Sequence, residues 1–208
     1  MIEIQRPVFV SGENPGLTLY VPGTDQIVAV ASYWHCVVSP WGLGHALILW
    51  LAPGTATAKG ISGGIFTDNL DLAQGLVNTL IQHFPEFQGI PLTQLNYHEA
   101  ACEHTYDGNK YQVTCKTADT RMELEWSNIL DRKQVLWGQF PAGPEMYDLT
   151  TVICPCGEGQ VRLDGVLING KVQTAQTKEG APTSSAFLAF SETWIGPLAK
   201  NEVGQEKA

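Results

Sequence analysis

A chain of 208 residues with 44% apolar and 16% charged residues is a folded composition, long enough to bury a core without a disulfide or metal staple. Its formal net charge of −9 sets most of the surface against a duplex or an anionic bilayer, so no nucleic acid and no membrane are expected as partners. Met1-Ile2-Glu3-Ile4 shows no basic segment leading into an apolar run, the apolar stretch from Ala46 to Ala52 is too short to span a bilayer, and five Cys is an odd number. Reduced thiols and a cytoplasmic location are the resulting expectations. A single β-rich domain is expected over 1–198, followed by a flexible polar tail, 199–208.

Residues 1–25 carry Pro7, Pro15, Gly16, Pro22 and Gly23 and read as an irregular opening with one short strand at 17–21. Residues 26–38 are long, β-branched and aromatic, which predicts a strand buried on both faces. Ser39-Pro40-Trp41-Gly42-Leu43-Gly44 is a turn, and 45–51 returns as a second buried strand. Residues 55–66 read as a weaker strand, interrupted by Gly60 and by Gly63-Gly64, a pair that suggests a bulge or a close backbone approach.

One amphipathic helix is expected over Asn69 to Phe84. Leu70, Ala73, Leu76, Val77, Leu80, Ile81 and Phe84 recur at three- and four-residue spacing and form one apolar stripe. Asp68 stands at the expected N-cap, Asp71 lies in the first turn, His83 lies at the far end and Pro85 stops the helix.

The second half reads as hairpins. Segments 97–106 and 110–117 flank Asp107-Gly108-Asn109. With Gly108-Asn109 as the loop, Tyr106 faces Tyr111, His104 faces Val113 and Cys102 faces Cys115; with Asp107-Gly108 as the loop the partners change but the faces do not. Cys102, His104, Tyr111, Val113 and Cys115 then share the inward face, while Glu103, Lys110, Gln112, Thr114 and Lys116 meet water. Arg121 to Trp126 alternates, with Met122, Leu124 and Trp126 inward. Further strands are expected at 135–137, at 149–154, in two or three short pieces punctuated by Gly157-Glu158-Gly159, Asp164-Gly165 and Asn169-Gly170, and at 186–194. Pro141 to Pro144 reads as a loop. About ten strands and one helix without βαβ alternation predict a mainly β fold: an antiparallel β-barrel or strongly curved sheet, of lipocalin-like architecture, with the helix packed on it.

No catalytic motif stands out. No G-x-S-x-G occurs, and Gly60-Ile61-Ser62-Gly63-Gly64 lacks the ending of a phosphate loop. Cys102, His104 and Cys115 on one face could be core thiols beside a hydrogen-bonded imidazole, a disulfide, or zinc ligands. Cys154-Pro155-Cys156 reads as a strand end running into a turn. Its two thiols would gain interest as ligands only beside His35-Cys36 or Cys102 and His104. Trp34-His35-Cys36 and Trp41 to His45 lie close to one turn, and the loop leaves open whether Trp34 or His35 points inward. His45, His98, Glu99, His104 and Asp68 are the acid–base candidates.

Three functions fit these residues. The first is an interior site for a small, largely apolar molecule, walled by Trp34, Trp50, Tyr111, Trp126 and Trp137 with Cys102 and His104 as polar anchors. The second is an enzyme of hydratase, isomerase or hydrolase type using a His/carboxylate pair on the same scaffold. The third is a surface-interaction protein or homodimer with no interior site. No cofactor and no metal site are assigned.

Overall fold

The computed structural model describes residues 6–55, 57 and 61–197. The expected tail, and residues 56 and 58–60 of the expected weak strand, lie outside them.

The described residues form fifteen strands and one α-helix. In chain order they are β1 (Val8–Glu13), β2 (Gly16–Tyr20), β3 (Ile27–Val38), β4 (Gly44–Leu51), β5 (Gly63–Thr67), α1 (Leu70–Thr79), β6 (Tyr97–Glu99), β7 (Ala101–Tyr106), β8 (Tyr111–Lys116), β9 (Arg121–Ile129), β10 (Lys133–Ala142), β11 (Glu145–Leu163), β12 (Val166–Leu167), β13 (Thr174–Gln176), β14 (Pro182–Ser184) and β15 (Ala186–Ile195). The expectation of about ten strands is an undercount. Pieces of two or three residues such as β6, β12, β13 and β14 are too short for alternation to show, and β1 lies in the stretch read as irregular.

Thirteen strands form one large curved sheet, ordered β6-β5-β4-β3-β1-β15-β11-β9-β8-β7, with β2, β10 and β12 paired alongside. Strands β5 and β6 are parallel, and β1 pairs β15 from the far end of the chain, so the order is not that of an up-and-down meander. The two ends of the order, β6 and β7, are separated in sequence by Ala100 alone, whose N–H donates to the Thr67 carbonyl at 2.8 Å. The sheet therefore curls until its two ends are consecutive in the chain.

Curling gives the sheet an inner and an outer face. On β3, Ala29, Ala31 and Tyr33 enter the inner core, together with Leu47 and Leu49 of β4, Tyr111 and Val113 of β8, and Met122, Leu124 and Trp126 of β9. The alternate β3 residues Val30, Trp34 and Cys36 enter the outer core, covered by Leu72, Ala73, Leu76 and Val77 of α1. This is the strand buried on both faces, with Trp34 turned outward and His35 on the inner side.

Helix α1 is shorter than the apolar spacing implied. It ends at Thr79, and 3-10 turns at Ile81–His83 and Pro85–Phe87 carry the stripe onward. Asn69, not Asp68, is the N-cap, because its side chain accepts from the Leu72 N–H while Asp68 is drawn to His45. That shift moves Leu70 out to 49% exposure and brings Leu72 into the core. Pro85 opens a 3-10 turn and does not stop the α-helix.

Three turn readings also change. Pro141 and Ala142 belong to β10, which meets β11 in a tight hairpin at Gly143-Pro144. Gly157-Glu158-Gly159 lies inside β11, a strand of 19 residues. Cys154-Pro155-Cys156 is likewise mid-strand, where β11 leaves β10 and begins pairing with β9. A proline is tolerated there because one ladder is ending and the next has not begun. Gly63 and Gly64 do mark a close approach: a Cβ on Gly63 would lie 2.1 Å from the Leu49 carbonyl oxygen.

One buried polar chain crosses the outer core. Ser32 Oγ donates to Asn14 Oδ1 (2.8 Å), and Asn14 Nδ2 (3.4 Å) and Trp194 Nε1 (2.7 Å) both donate to Glu192 Oε1. Burial pushes the Glu192 carboxyl up to about 7, against the pull of its two donors.

Two stability predictions follow from this packing. Leu76→Ala should cost about 2–5 kcal/mol in urea unfolding, whereas Leu70→Ala should stay within about 0.5 kcal/mol; equal effects would show that the helix is rotated. For Glu192 the folded state keeps its proton up to about 7 while the unfolded chain releases it near the ordinary value of 4.5, so stability falls as pH rises through that window and stays low above it. Glu192→Gln should remove this slope and stabilise the protein at pH 8 by on the order of 2–3 kcal/mol, read from urea midpoints against pH.

Candidate functional site

Strand register builds the site. Glu13 of β1 is paired with His35 of β3, and His35 with His45 of β4. Thr67 of β5 is paired with Ala46, which brings Asp68 to the far side of His45. An acid, two imidazoles and an acid thus lie in one row across four neighbouring strands. Two glycines let the row close up. A Cβ on Gly12 would lie 2.0 Å from the His35 carbonyl oxygen, and one on Gly44 would lie 2.6 Å from Asp68 Oδ1.

The third imidazole comes from the other end of the sheet order. The hairpin β7–β8 has the register expected for a Gly108-Asn109 loop, with Tyr106 opposite Tyr111, His104 opposite Val113 and Cys102 opposite Cys115. His104 therefore points inward and meets the row. Its ring lies 4.7 Å from that of His35 and 6.1 Å from that of His45, and the His35 and His45 rings are 4.8 Å apart. One nitrogen from each of His35, His45 and His104 lies within 4.8 Å of the other two.

A shell of oxygens surrounds the imidazoles. His45 Nδ1 is 2.6 Å from Asp68 Oδ2, and the His45 backbone N–H donates to Asp68 Oδ1 at 2.6 Å. The carboxylate accepts the Nδ1 proton, which leaves His45 Nε2 with its lone pair free. His104 Nδ1 is 3.2 Å from the Tyr33 hydroxyl, and its Nε2 lies 3.7 Å from Glu13 Oε2. The Tyr111 hydroxyl donates to the same Glu13 oxygen at 2.6 Å, and the Tyr111 ring stacks on His104 at 5.4 Å.

All three imidazoles are half-buried at one mouth of the inner core. Desolvation lowers the pKa of His35 and of His104, and neighbouring imidazoles push in the same direction, against the opposite pull of Glu13 on both and of Asp68 on His35. Both shifts favour the neutral form, the state that binds metal. Burial, then the charges of Asp68 and Glu13, pushes Tyr33 far up; burial and the bond to Glu13 do the same for Tyr111. Both phenols stay protonated and act as hydrogen-bonding groups. Three imidazoles, a carboxylate beside them and a carboxylate-anchored ring match the donor set of a catalytic zinc or related first-row site.

The structure divides the seven residues expected to wall a ligand. His104 and Tyr111 stand in the site. Trp126 lies beneath them, its ring 6.0 Å from that of Tyr111 and its Nε1 bonded to the Gly16 carbonyl. Cys102 is one turn of the pleat away, bonded to Cys115. Trp34 and Trp50 face the outer core, and Trp137 on β10 is 46% exposed.

The disulfide corrects the expectation of reduced thiols and removes Cys102 and Cys115 as zinc ligands, because their paired strands bring the two Cα atoms to 4.1 Å. Cys36, Cys154 and Cys156 are free and buried, and the imidazole cluster includes none of them. Glu13 and Tyr33 escaped the sequence reading. Glu13 lies in a stretch without periodicity, and its neighbours come from the rest of the chain.

No family model matches the sequence, and no curated protein matches it. Among solved structures, the acetoacetate decarboxylase of Legionella pneumophila subsp. pneumophila str. Philadelphia 1 is similar with a TM-score of 0.41 and 11% identity, over 91% of this chain and 84% of that one. A second acetoacetate decarboxylase structure is similar with a TM-score of 0.41 and 9% identity, over 94% of this chain and 93% of that one. Neither likeness assigns a function to this chain. No helix among the described residues is long and apolar enough to cross a membrane.

The Cys102–Cys115 bond closes a loop of 13 residues in sequence separation. Its reduction should lower stability by up to about 3 kcal/mol in the chain-entropy picture. Urea unfolding with and without dithiothreitol measures this, and a Cys102→Ala/Cys115→Ala variant should behave as the reduced protein and lose its response to the reductant.

Proposed function

We propose that His35, His45 and His104 hold a divalent transition-metal ion, and that the chain is an enzyme of hydratase or hydrolase type acting on a small molecule at this mouth. The carrying observation is the convergence of three imidazole nitrogens within 4.8 Å of one another. A tetrahedral zinc with bonds of 2.0–2.1 Å spaces its ligand atoms at roughly 3.3 Å, so modest side-chain closure completes the site.

The surrounding groups support the assignment. Asp68 engages His45 through Nδ1 and leaves Nε2 as its ligating atom, the carboxylate–imidazole arrangement that tunes metal ligands. His104 presents Nε2 when its Nδ1–H donates to the Tyr33 oxygen. A bound metal would supply a polarised water. Glu13, next to His104 Nε2, would be the general base there, and the Tyr111 hydroxyl holds its carboxylate in place.

This reading keeps a small molecule as the partner and moves its place. The inner core is occupied by Trp126, Tyr111, Tyr33 and the leucines of β4, all at 0–1% exposure. A ligand expected inside the sheet finds its polar handles at the rim.

Purified protein dialysed against zinc and then against metal-free buffer should retain one zinc per chain by elemental analysis, with a thermal midpoint that rises with free zinc. His45→Ala and His104→Ala should each abolish retention, and Asp68→Asn should weaken affinity about 10–100-fold. Glu13→Gln should keep the metal and lower hydrolysis of p-nitrophenyl acetate about 10²–10⁴-fold. Wild-type protein without retained metal, or metal retention unchanged in His45→Ala and His104→Ala, would overturn the assignment.

A further inference from the structure

On the opposite face of the sheet, a cleft of about 270 Å³ opens between the 3-10 turn Pro85–Phe87 and the outer surface of β10, β11 and β15. Five aromatic residues line it: Phe84, Trp137, Phe140, Phe187 and Trp194. Its lining is otherwise apolar apart from Asn14, Thr151, Glu86 and Glu192, and contains no Lys, Arg or His.

Glu192 reaches the cleft because of a local break in β15. Up to Leu188 the even-numbered residues Ala186 and Leu188 enter the inner core, whereas Trp194 enters the outer core. Ser191, at φ 51°, lies between them, where the pairing with β11 slips by one residue. The slip turns Glu192 to the outer face. There it is 4% exposed, and its two hydrogen bonds both fall on Oε1, from neutral donors. No ion pair to Glu192 exists among the described residues. Glu86, on the facing turn, is a second carboxyl whose charge acts on Glu192.

We propose that this cleft is a binding site for a small organic cation, an ammonium group carried on an apolar body, with Glu192 as its counter-ion and the aromatic rings as its walls. A buried carboxyl among apolar groups is costly without a partner, and this one has only neutral partners. Ring faces attract an ammonium within about 6 Å, so the walls and the floor favour the same charge. The volume lies just below the range of roughly 300–1,000 Å³ for drug-sized ligands, which fits a small amine. Trp137, 46% exposed, stands at the rim, where a ligand would cover it. The site is independent of the three imidazoles, since the two lie on opposite faces of the sheet.

The test uses phenethylammonium as probe and 2-phenylethanol as its neutral counterpart, at pH 8, with titration calorimetry and the indole N–H resonances of the full chain. Phenethylammonium should bind saturably and shift the Trp194 indole resonance, identified by its loss in Trp194→Phe, while the alcohol binds at least about tenfold more weakly. Glu192→Gln should weaken the ammonium by about tenfold or more and leave the alcohol unchanged. Trp137→Ala, a change at an exposed position that spares the fold, should weaken both. No saturable binding at millimolar probe, equal affinity for the two probes, or ammonium binding unaltered in Glu192→Gln would each overturn the proposal.

Discussion

The fold depends on one constraint, the burial of β3 on both of its faces. A strand of twelve residues in which seven consecutive side chains avoid water needs a layer on each side. The inner layer is the rest of the same sheet, curled over until β8 and β9 face β3 and β4. The outer layer is α1 with its following 3-10 turns. Each layer takes alternate residues, so Tyr33 and Trp34, adjacent in sequence, belong to different cores. The division also sorts the polar groups: His35 follows Tyr33 to the inner mouth, whereas Cys36 follows Trp34 toward the buried Glu192.

Much of this frame is legible in the amino-acid order because it rests on local periodicity. Alternation in 121–126 identified the inward face of β9, and the Asp107-Gly108-Asn109 turn set the β7–β8 register that carries His104 and Cys102 inward. The helix was visible as a stripe, but its phase was not: Asp68 and Asn69 are both good N-caps, and the choice between them is made by His45, 23 residues away. Asp68 reads both as a helix cap and as an acid–base candidate, and only the placement of β4 beside β5 shows that His45 is its partner.

The rest of the site was out of reach because it joins segments far apart in the chain. Glu13 lies 98 residues from Tyr111, its hydrogen-bond partner, and 22 residues from His35, its neighbour across the ladder. Pairing of β1 with both β3 and β15 decides where Glu13 goes, and nothing in residues 8–13 announces it. The long strand β11 was divided by the reading of Gly and Pro as punctuation. In a curved sheet those residues also mark where a strand bends or changes partner, and both uses leave the same residues in the sequence.

One consequence lies in the origin of the three imidazoles. His35 and His45 belong to neighbouring strands, whereas His104 belongs to β7, at the other end of the sheet order, reached through Ala100. The cluster therefore joins strands that stand far apart in the sheet order. Under the proposed assignment, an ion held by all three imidazoles joins strands from distant places in the sheet order, and its binding adds to the stability of the folded sheet.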